Sequence, residues 1–377
     1  MYSCRSGDAT SNFLMSELYF LPAQFGDAFF LHCKKGGEEG WIVVDGGPSK
    51  LRPKSVFLQE VEKLPKIDLM VLTHHDDDHI EGIREYVNQH KVDNPFPVKK
   101  MWVNCARHID IAQGGPLSAK HASSLADTLV EIQKNQEIEW KEYVTDNMDT
   151  SEITFADIDV LSPSKEILEK YIIEYEKKAG VPQPKALPLT AKQEEDDLSV
   201  SLKDLALRPK KKLSESNYQV LANMASIAFV LRCDEMSVLM LGDSFTGQIV
   251  SSLTARGYSK DNKLKVDFVK VSHHGSRHNI SNELLDMIDC QNYLISTDGG
   301  KGETYHPTRE ALANIICHPC RDYDKTVHLH FNYTLKSIAH KNGFALFNQG
   351  EKEEYNFEVH EPTEQTEGCH YRATRYE

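Results

Sequence analysis

The chain has 377 residues, 40% of them apolar and 27% charged, with a formal net charge of −14; that is enough apolar material for one large core or two ordinary ones. The negative balance excludes wholesale coating of nucleic acid and leaves room for a local basic groove. No apolar run approaches the ~20 residues of a membrane span, and the start MYSCRSGDATSNF lacks a secretory pattern, so the chain is expected in the cytosol, without membrane contact.

The first segment, LYFLPAQFGDAFFLHCKKGGEEGWIVVDGG, alternates β-branched and aromatic residues with Gly-Asp and Gly-Gly turns. It predicts two or three strands, the last ending at Asp45. Residues 51–64 read as helix and IDLMVLT as a short strand of the fully buried kind. Directly after it comes THHDDDHIEG, where a short helix or turn begins. VKKMWVN is another strand, residues 116–136 have helical spacing, and ITFADIDVLSPS reads as paired strands. From 164 to 220 the chain turns charged and proline-punctuated, which predicts an inserted, partly mobile arm. A hairpin follows in ASIAFVLRCDEMSVLMLGDSF, then strands in LKVDFVKVSHHGS and NYLISTDGG. The expected organisation is a single domain over 15–350 interrupted by the 164–220 insertion, with a tail over 351–377.

The eight cysteines lack framework spacing and are expected to be reduced. Cys317-His318-Pro319-Cys320 is a single CxxC without a companion doublet, a weak zinc signal. His328 and His330, alternating in VHLHF, read as one face of a strand.

Four strand ends deliver acids or imidazoles: Asp45, the 74–79 cluster, Asp243 and His273-His274. A layered α/β fold gathers such ends on one rim, where loops are free to carry polar groups. Three neighbouring carboxylates repel one another unless a cation gathers them, so the cluster reads as half of a site for two divalent ions. His74 and Asp76 would serve one ion, Asp78 and His79 the other, with Asp243 as the bridge, while His75 and Asp77 turn away.

THHDDDHIEG resembles the metal signature of the metallo-β-lactamase superfamily, with Asp76 in place of the second histidine. Together with QFGDAFF, VVDGG, VLSP, LMLGDSF, KVSHHGS and TYHP in that order, it is similar to the lactamase-like soluble domain of the ComEC family of DNA-uptake proteins, over about residues 17–316 apart from the insertion. The resemblance implies a four-layer αββα sandwich of the α/β class holding one or two divalent metals, and a metal-dependent hydrolase, most often of phosphodiesters. Carried over by position, His74, Asp76, Asp78, His79 and Asp243 are ligands, and His273 or His274 closes the second site. His273 is favoured because it comes first off the strand, which leaves His274 to handle protons. Asp45 and Asp27 would support the cluster from outside. The histidine that the superfamily usually supplies from an intermediate loop has no aligned counterpart, His108 and His121 matching no motif. Oxygen donation by Asp76 hardens the first site, so manganese and zinc are both expected.

A water between the ions would lose its proton near neutral pH and attack phosphorus in line, with Asp78, His274 and His306 at the reacting centre. His306 would protonate the leaving oxygen, and Ser276 and Lys270 would contact phosphate. The expected substrate is a nucleic acid or nucleotide, drawn in by Arg208 to Lys212. Two other classes stay open. One is hydrolysis of a small ester, thioester or lactam; the other is a defence or toxin-type module whose 164–220 arm docks a protein partner.

Overall fold

The apolar runs become strands, and which of their faces are buried decides the layering. A computed structural model describes residues 15–48, 55–104, 117–178, 198–209, 218–300, 305–363 and 368–372. The first strands are β1 (Glu17–Phe20), β2 (Phe29–Lys35), β3 (Glu38–Val44), β4 (Leu69–Leu72), β5 (Lys100–Val103) and β6 (Glu139–Lys141). Then follow β7 (Asp157–Ser162), β8 (Ala228–Arg232), β9 (Ser237–Met240), β10 (Leu264–Lys265), β11 (Phe268–Lys270) and β12 (Ile288–Asp289). The last are β13 (Asn292–Ile295), β14 (Val327–Phe331), β15 (Phe357–His360) and β16 (Cys369–Arg372).

Among the described residues these make two seven-stranded sheets, in the orders β16-β1-β2-β3-β4-β5-β6 and β15-β14-β13-β11-β9-β8-β7, beside a small β10-β12 pair. The two large sheets are built alike. In each, antiparallel hairpins at one side give way to parallel strands, β3 to β6 in the first and β9, β11, β13, β14 and β15 in the second. A parallel strand needs a crossover and is covered on both faces, which is why β4 (LMVL) is apolar and buried at every position.

Alternation along the strands sorts their side chains between two interiors. Phe229 and Leu231 of β8 join Phe20, Phe29, Val71, Phe268 and Leu294 between the sheets, whereas Ala228 and Val230 point to the outer layer with Leu239, Val269 and Leu329. That outer layer is formed by Leu202, Leu205, Ile249, Leu253, Leu312 and Ile316 from three helices. On the far side of the first sheet, Leu58, Ile80, Ile83, Leu125 and Leu129 of three other helices cover Val43, Met70 and Met101. Each large side chain so buried contributes roughly 1.5–3 kcal/mol. The result is four layers, helix, sheet, sheet, helix.

Four expectations need correction. The helix after β4 is not short: it runs Asp77–His90, because Ile80, Ile83, Tyr86 and Val87 keep one apolar face buried for its whole length. Residues 153–156 form turns, so ITFADIDVLSPS contains one strand, β7, paired with β8. Within the 164–220 segment, the described parts are packed. Helix Lys165–Lys178 buries Leu168 and Tyr171 among Val220, Leu221 and Met224, and helix Leu202–Ala206 buries Leu202 and Leu205 in the outer layer; the charged residues are the wet faces of amphipathic helices. Residues 179–197 and 210–217 lie outside the described residues, Lys210 to Lys212 with them. Finally, the expected tail supplies both sheet edges, β15 beside β14 and β16 beside β1, where short strands with mixed burial suffice.

Candidate metal centre

Most acids and imidazoles of the centre stand at the carboxyl end of a strand: Asp45 after β3, His74 after β4, Asp243 after β9, and His273 and His274 after β11. The helix Asp77–His90 presents Asp78 and His79 from its first turn, where carboxylates suit the helix dipole. Its start is clamped by backbone. Asp27 N–H donates to Asp78 O (3.2 Å), Gly46 N–H to His79 O (2.9 Å) and Gly82 N–H to Gly47 O (3.0 Å). A Cβ on Gly26 would sit 1.9 Å from Asp78 O, and one on Gly82 2.0 Å from Gly46 O, so glycine at both positions lets the three loops touch.

His74 Nε2 lies 3.5 Å from Asp76 Oδ2 and 3.8 Å from Asp243 Oδ2, and His273 Nε2 is 3.7 Å from the same Asp243 oxygen. On the other side, His79 Nε2 is 3.5 Å from Asp243 Oδ1, and His274 Nε2 is 3.4 Å from Asp78 Oδ2 and 3.8 Å from Asp243 Oδ2. Ligands about 2.0–2.2 Å from a four-coordinate ion stand roughly 3.3–3.6 Å apart, so these separations need contract by only tenths of an ångström to enclose a cation. His74 Nε2, His79 Nε2, His274 Nε2 and Asp243 Oδ1 are buried and make no hydrogen bond. Buried polar atoms are almost always paired; four orphans converging on one point fit a divalent metal.

The far sides of the imidazoles are tied down. Asp45 accepts from Thr73 N–H and Oγ1–H (both 2.7 Å) and holds His79 Nδ1 at 2.8 Å, which turns Nε2 inward. His274 Nδ1 is 3.0 Å from Ser296 O and 3.4 Å from Asp27 Oδ1. Both His273 and His274 adopt positive φ, 48° and 54°. The chain therefore swivels at the pair, sending His274 to the buried side and leaving His273 about a quarter exposed.

Charge explains the protonation pattern. Burial disfavours the charged form of His79 and His274, yet Asp243 with Asp45 and Asp78 holds His79 well above its ordinary value, and Asp243 with Asp27 raises His274 to about 9. For Asp78, burial is outweighed by His79 and His274, which bring it to about 2, and Asp243 is likewise held low. The carboxylates take up protons on the imidazoles where a cation would otherwise neutralise them. His75 turns away, as expected: burial lowers it to about 4, and its Nδ1 meets Tyr171 Oη at 2.6 Å.

The structure departs from the sequence reading at three residues. His274, expected to handle protons, has its Nε2 beside Asp78, while His273 sits with Asp243 on the side of His74. Lys270 is completely buried, bound to Gly242 O (2.9 Å) and Asp27 and 3.7 Å from Asp243 Oδ1. It shares the inward face of β11 with Phe268 and does not reach solvent to contact phosphate. Ser276 is buried too, its Oγ accepting from His278 N–H (3.4 Å) at the start of a 3-10 turn. His306 is half-buried with its ring 5.1 Å from His273 and 6.3 Å from His274; burial and those two rings disfavour its protonation. Sequence reading missed Thr73, Asn223, Asn279 and Tyr171. Asn223 Nδ2 and Asn279 Oδ1 both lie 3.3 Å from His273 Nδ1, and Asn279 Nδ2 also donates to Asp243 O (3.1 Å). No motif marks these amides. His121 and His108 give no described side chain.

Residues 22–94, which hold Asp27, Asp45 and the His74 to His79 run, match the family model of the metallo-beta-lactamase superfamily. Two large sheets flanked by helices are consistent with the metallo-β-lactamase fold. Among solved structures, the chain is similar to the metallo-beta-lactamase fold protein YhfI from Bacillus subtilis, with 10% identity over 95% of this chain and 99% of that one and a TM-score of 0.38. It is also similar to unliganded yeast PDE1, with 11% identity, coverage of 96% and 99%, and a TM-score of 0.43. No curated protein matches the chain significantly. No helix among the described residues is long and apolar enough to cross a membrane.

Proposed function

We propose that this chain is a metal-dependent phosphodiesterase acting on a nucleic acid or nucleotide, with zinc or manganese as its cation. The observation that carries the proposal is the pair of donor groups sharing Asp243: His74, Asp76 and His273 on one side, Asp78, His79 and His274 on the other. Paired divalent ions supply Lewis-acid charge to a phosphoryl group and acidify water, and a two-ion clamp suits an in-line displacement at phosphorus. Asp76 and Asp78 add carboxylate oxygens to the imidazoles, a mixed nitrogen–oxygen donor set that suits zinc or manganese rather than thiolate-type sites. The ComEC-like order of sequence fragments points the same way.

The protein's own groups have separable tasks. Asp45 and Asp27 orient His79 and His274 through their Nδ1 atoms. Lys270 offsets the charge of Asp27 and Asp243 from beneath. Asn223 and Asn279 hold His273. His306 lies beside His273, its buried Nδ1 without a hydrogen-bond partner.

The test is to incubate the protein with plasmid, single-stranded DNA, RNA and bis(4-nitrophenyl) phosphate under manganese, zinc or chelator, alongside Asp243→Asn and the Asp78→Ala/His79→Ala double variant. Metal-dependent cleavage of polymers or the diester, lost in both variants, supports the proposal. Turnover confined to carboxylic esters, thioesters or lactams replaces it with the small-substrate reading.

A further inference from the structure

A second group of imidazoles lies at the β15 edge of the second sheet and takes no part in the centre described above. It is written in the sequence as two alternating pairs, His328 and His330 in VHLHF, Glu358 and His360 in FEVH. Neither pair alone signals anything beyond a strand face. The parallel pairing of β14 with β15 sets His328 opposite Glu358 and His330 opposite His360, so all four side chains share one face of two neighbouring strands.

His328 Nδ1 is 3.0 Å from His360 Nε2, Glu358 Oε2 is 3.4 Å from His328 Nδ1, and Glu358 Oε2 is 3.7 Å from His360 Nε2. The mean edge of this triangle matches the roughly 3.3–3.6 Å expected between ligands of a tetrahedral zinc-class ion. We infer that His328, Glu358 and His360 bind one divalent transition-metal ion of the zinc, nickel or copper class. Two imidazoles and one carboxylate are a borderline-soft donor set, unsuited to calcium or magnesium.

His330 supports the triangle from the buried side. Its ring stacks on that of His360, with centroids 4.6 Å apart and planes 16° apart, and its Nε2 is fixed at 3.1 Å from Asn292 Oδ1. This limits how the His360 ring can turn. Lys352 is the nearby cation that opposes binding. The three donors are partly exposed, which leaves the ion open to water on its outer side. The consequence is mechanical as well as chemical: an ion here ties the edge strand β15, four residues long, to β14.

The experiment uses the full chain, stripped with chelator and loaded with Zn2+ or Cu2+, and reads bound metal per chain after desalting. The parent is expected to hold one equivalent more than Glu358→Gln and than His328→Gln/His360→Gln, and the Asp78→Ala/His79→Ala variant is expected to keep that equivalent. Glu358 is exposed, so its variant retains the fold even if the histidine pair does not, as far-ultraviolet circular dichroism will show. With Cu2+ in the variant whose main centre is disabled, electron paramagnetic resonance is expected to show coupling to two imidazole nitrogens. Equal metal content in the parent and Glu358→Gln, or a copper spectrum without that coupling, overturns the inference. Neither result bears on phosphodiester cleavage, which is read separately.

Discussion

Lys270→Met is the substitution that tests most directly how the centre is held together. The ammonium is fully buried between Asp27 and Asp243, with no exposure of its own and Asp27 1% exposed. At 3.7 Å from Asp243 Oδ1, its attraction to that carboxylate is about 4.5 kcal/mol at an effective dielectric near 20. Methionine fills similar volume and removes the charge, leaving Asp27 and Asp243 without their internal counter-ion. Breaking one side of a buried pair costs roughly 3–5 kcal/mol, so the metal-stripped variant is expected to lose about that much in urea unfolding. Divalent cations neutralise the same carboxylates, so the loss should shrink when zinc or manganese is present. Adding Asp27→Asn should restore part of the stability, since removing both partners costs less than removing one. Equal stability of the stripped parent and Lys270→Met, or a loss unaffected by metal, would refute the account of Lys270 as a charge-balancing group.

Three further outcomes are expected. Asp45→Asn lets an amide meet His79 Nδ1 and frees the wrong tautomer to face the centre, so metal affinity measured by competition with a chelator should fall about 10- to 100-fold. Proton competition should govern metal binding. His274 is raised from its ordinary value of 6.5 to about 9, so its protonated form stabilises the metal-free fold fully below about pH 6.5, and this is lost as pH rises through about 9. Apparent metal affinity should therefore climb about tenfold per pH unit for each imidazole proton displaced across that window, and a flat profile in calorimetry would contradict it. Gly26→Ala forces a Cβ toward Asp78 O, 1.9 Å away, and should cost roughly 3 kcal/mol in thermal or urea unfolding by overpacking, with loss of metal content; parent-like behaviour would show that the loop is free to move.

Much of the fold could be read directly, because both sheets are buried on both faces and their strands are continuous apolar runs bounded by Gly and Asp. LMVL, FVLR and VLM leave little choice of element. The insertion misled because charge density was read as disorder, when Leu168 and Tyr171 lie at helical spacing among the charged residues and bury the inner face. The strand CHYR escaped notice because it is short and becomes a strand only by pairing with β1.

Local order along the chain determined which residue types end each strand, and with them the candidate donors His74, Asp76, Asp78, His79 and Asp243, which fall where β4 and β9 end and one helix starts. Which imidazole of the 273–274 pair turns inward was decided by two left-handed backbone conformations that no pattern announces. Whether Lys270 meets solvent or a buried aspartate, and whether His328 and His360 ever meet, depended on strand pairing between segments tens to hundreds of residues apart. Such contacts arise from the packing of layers, where one residue's surroundings are supplied by distant chain, and they exist only once the layers close.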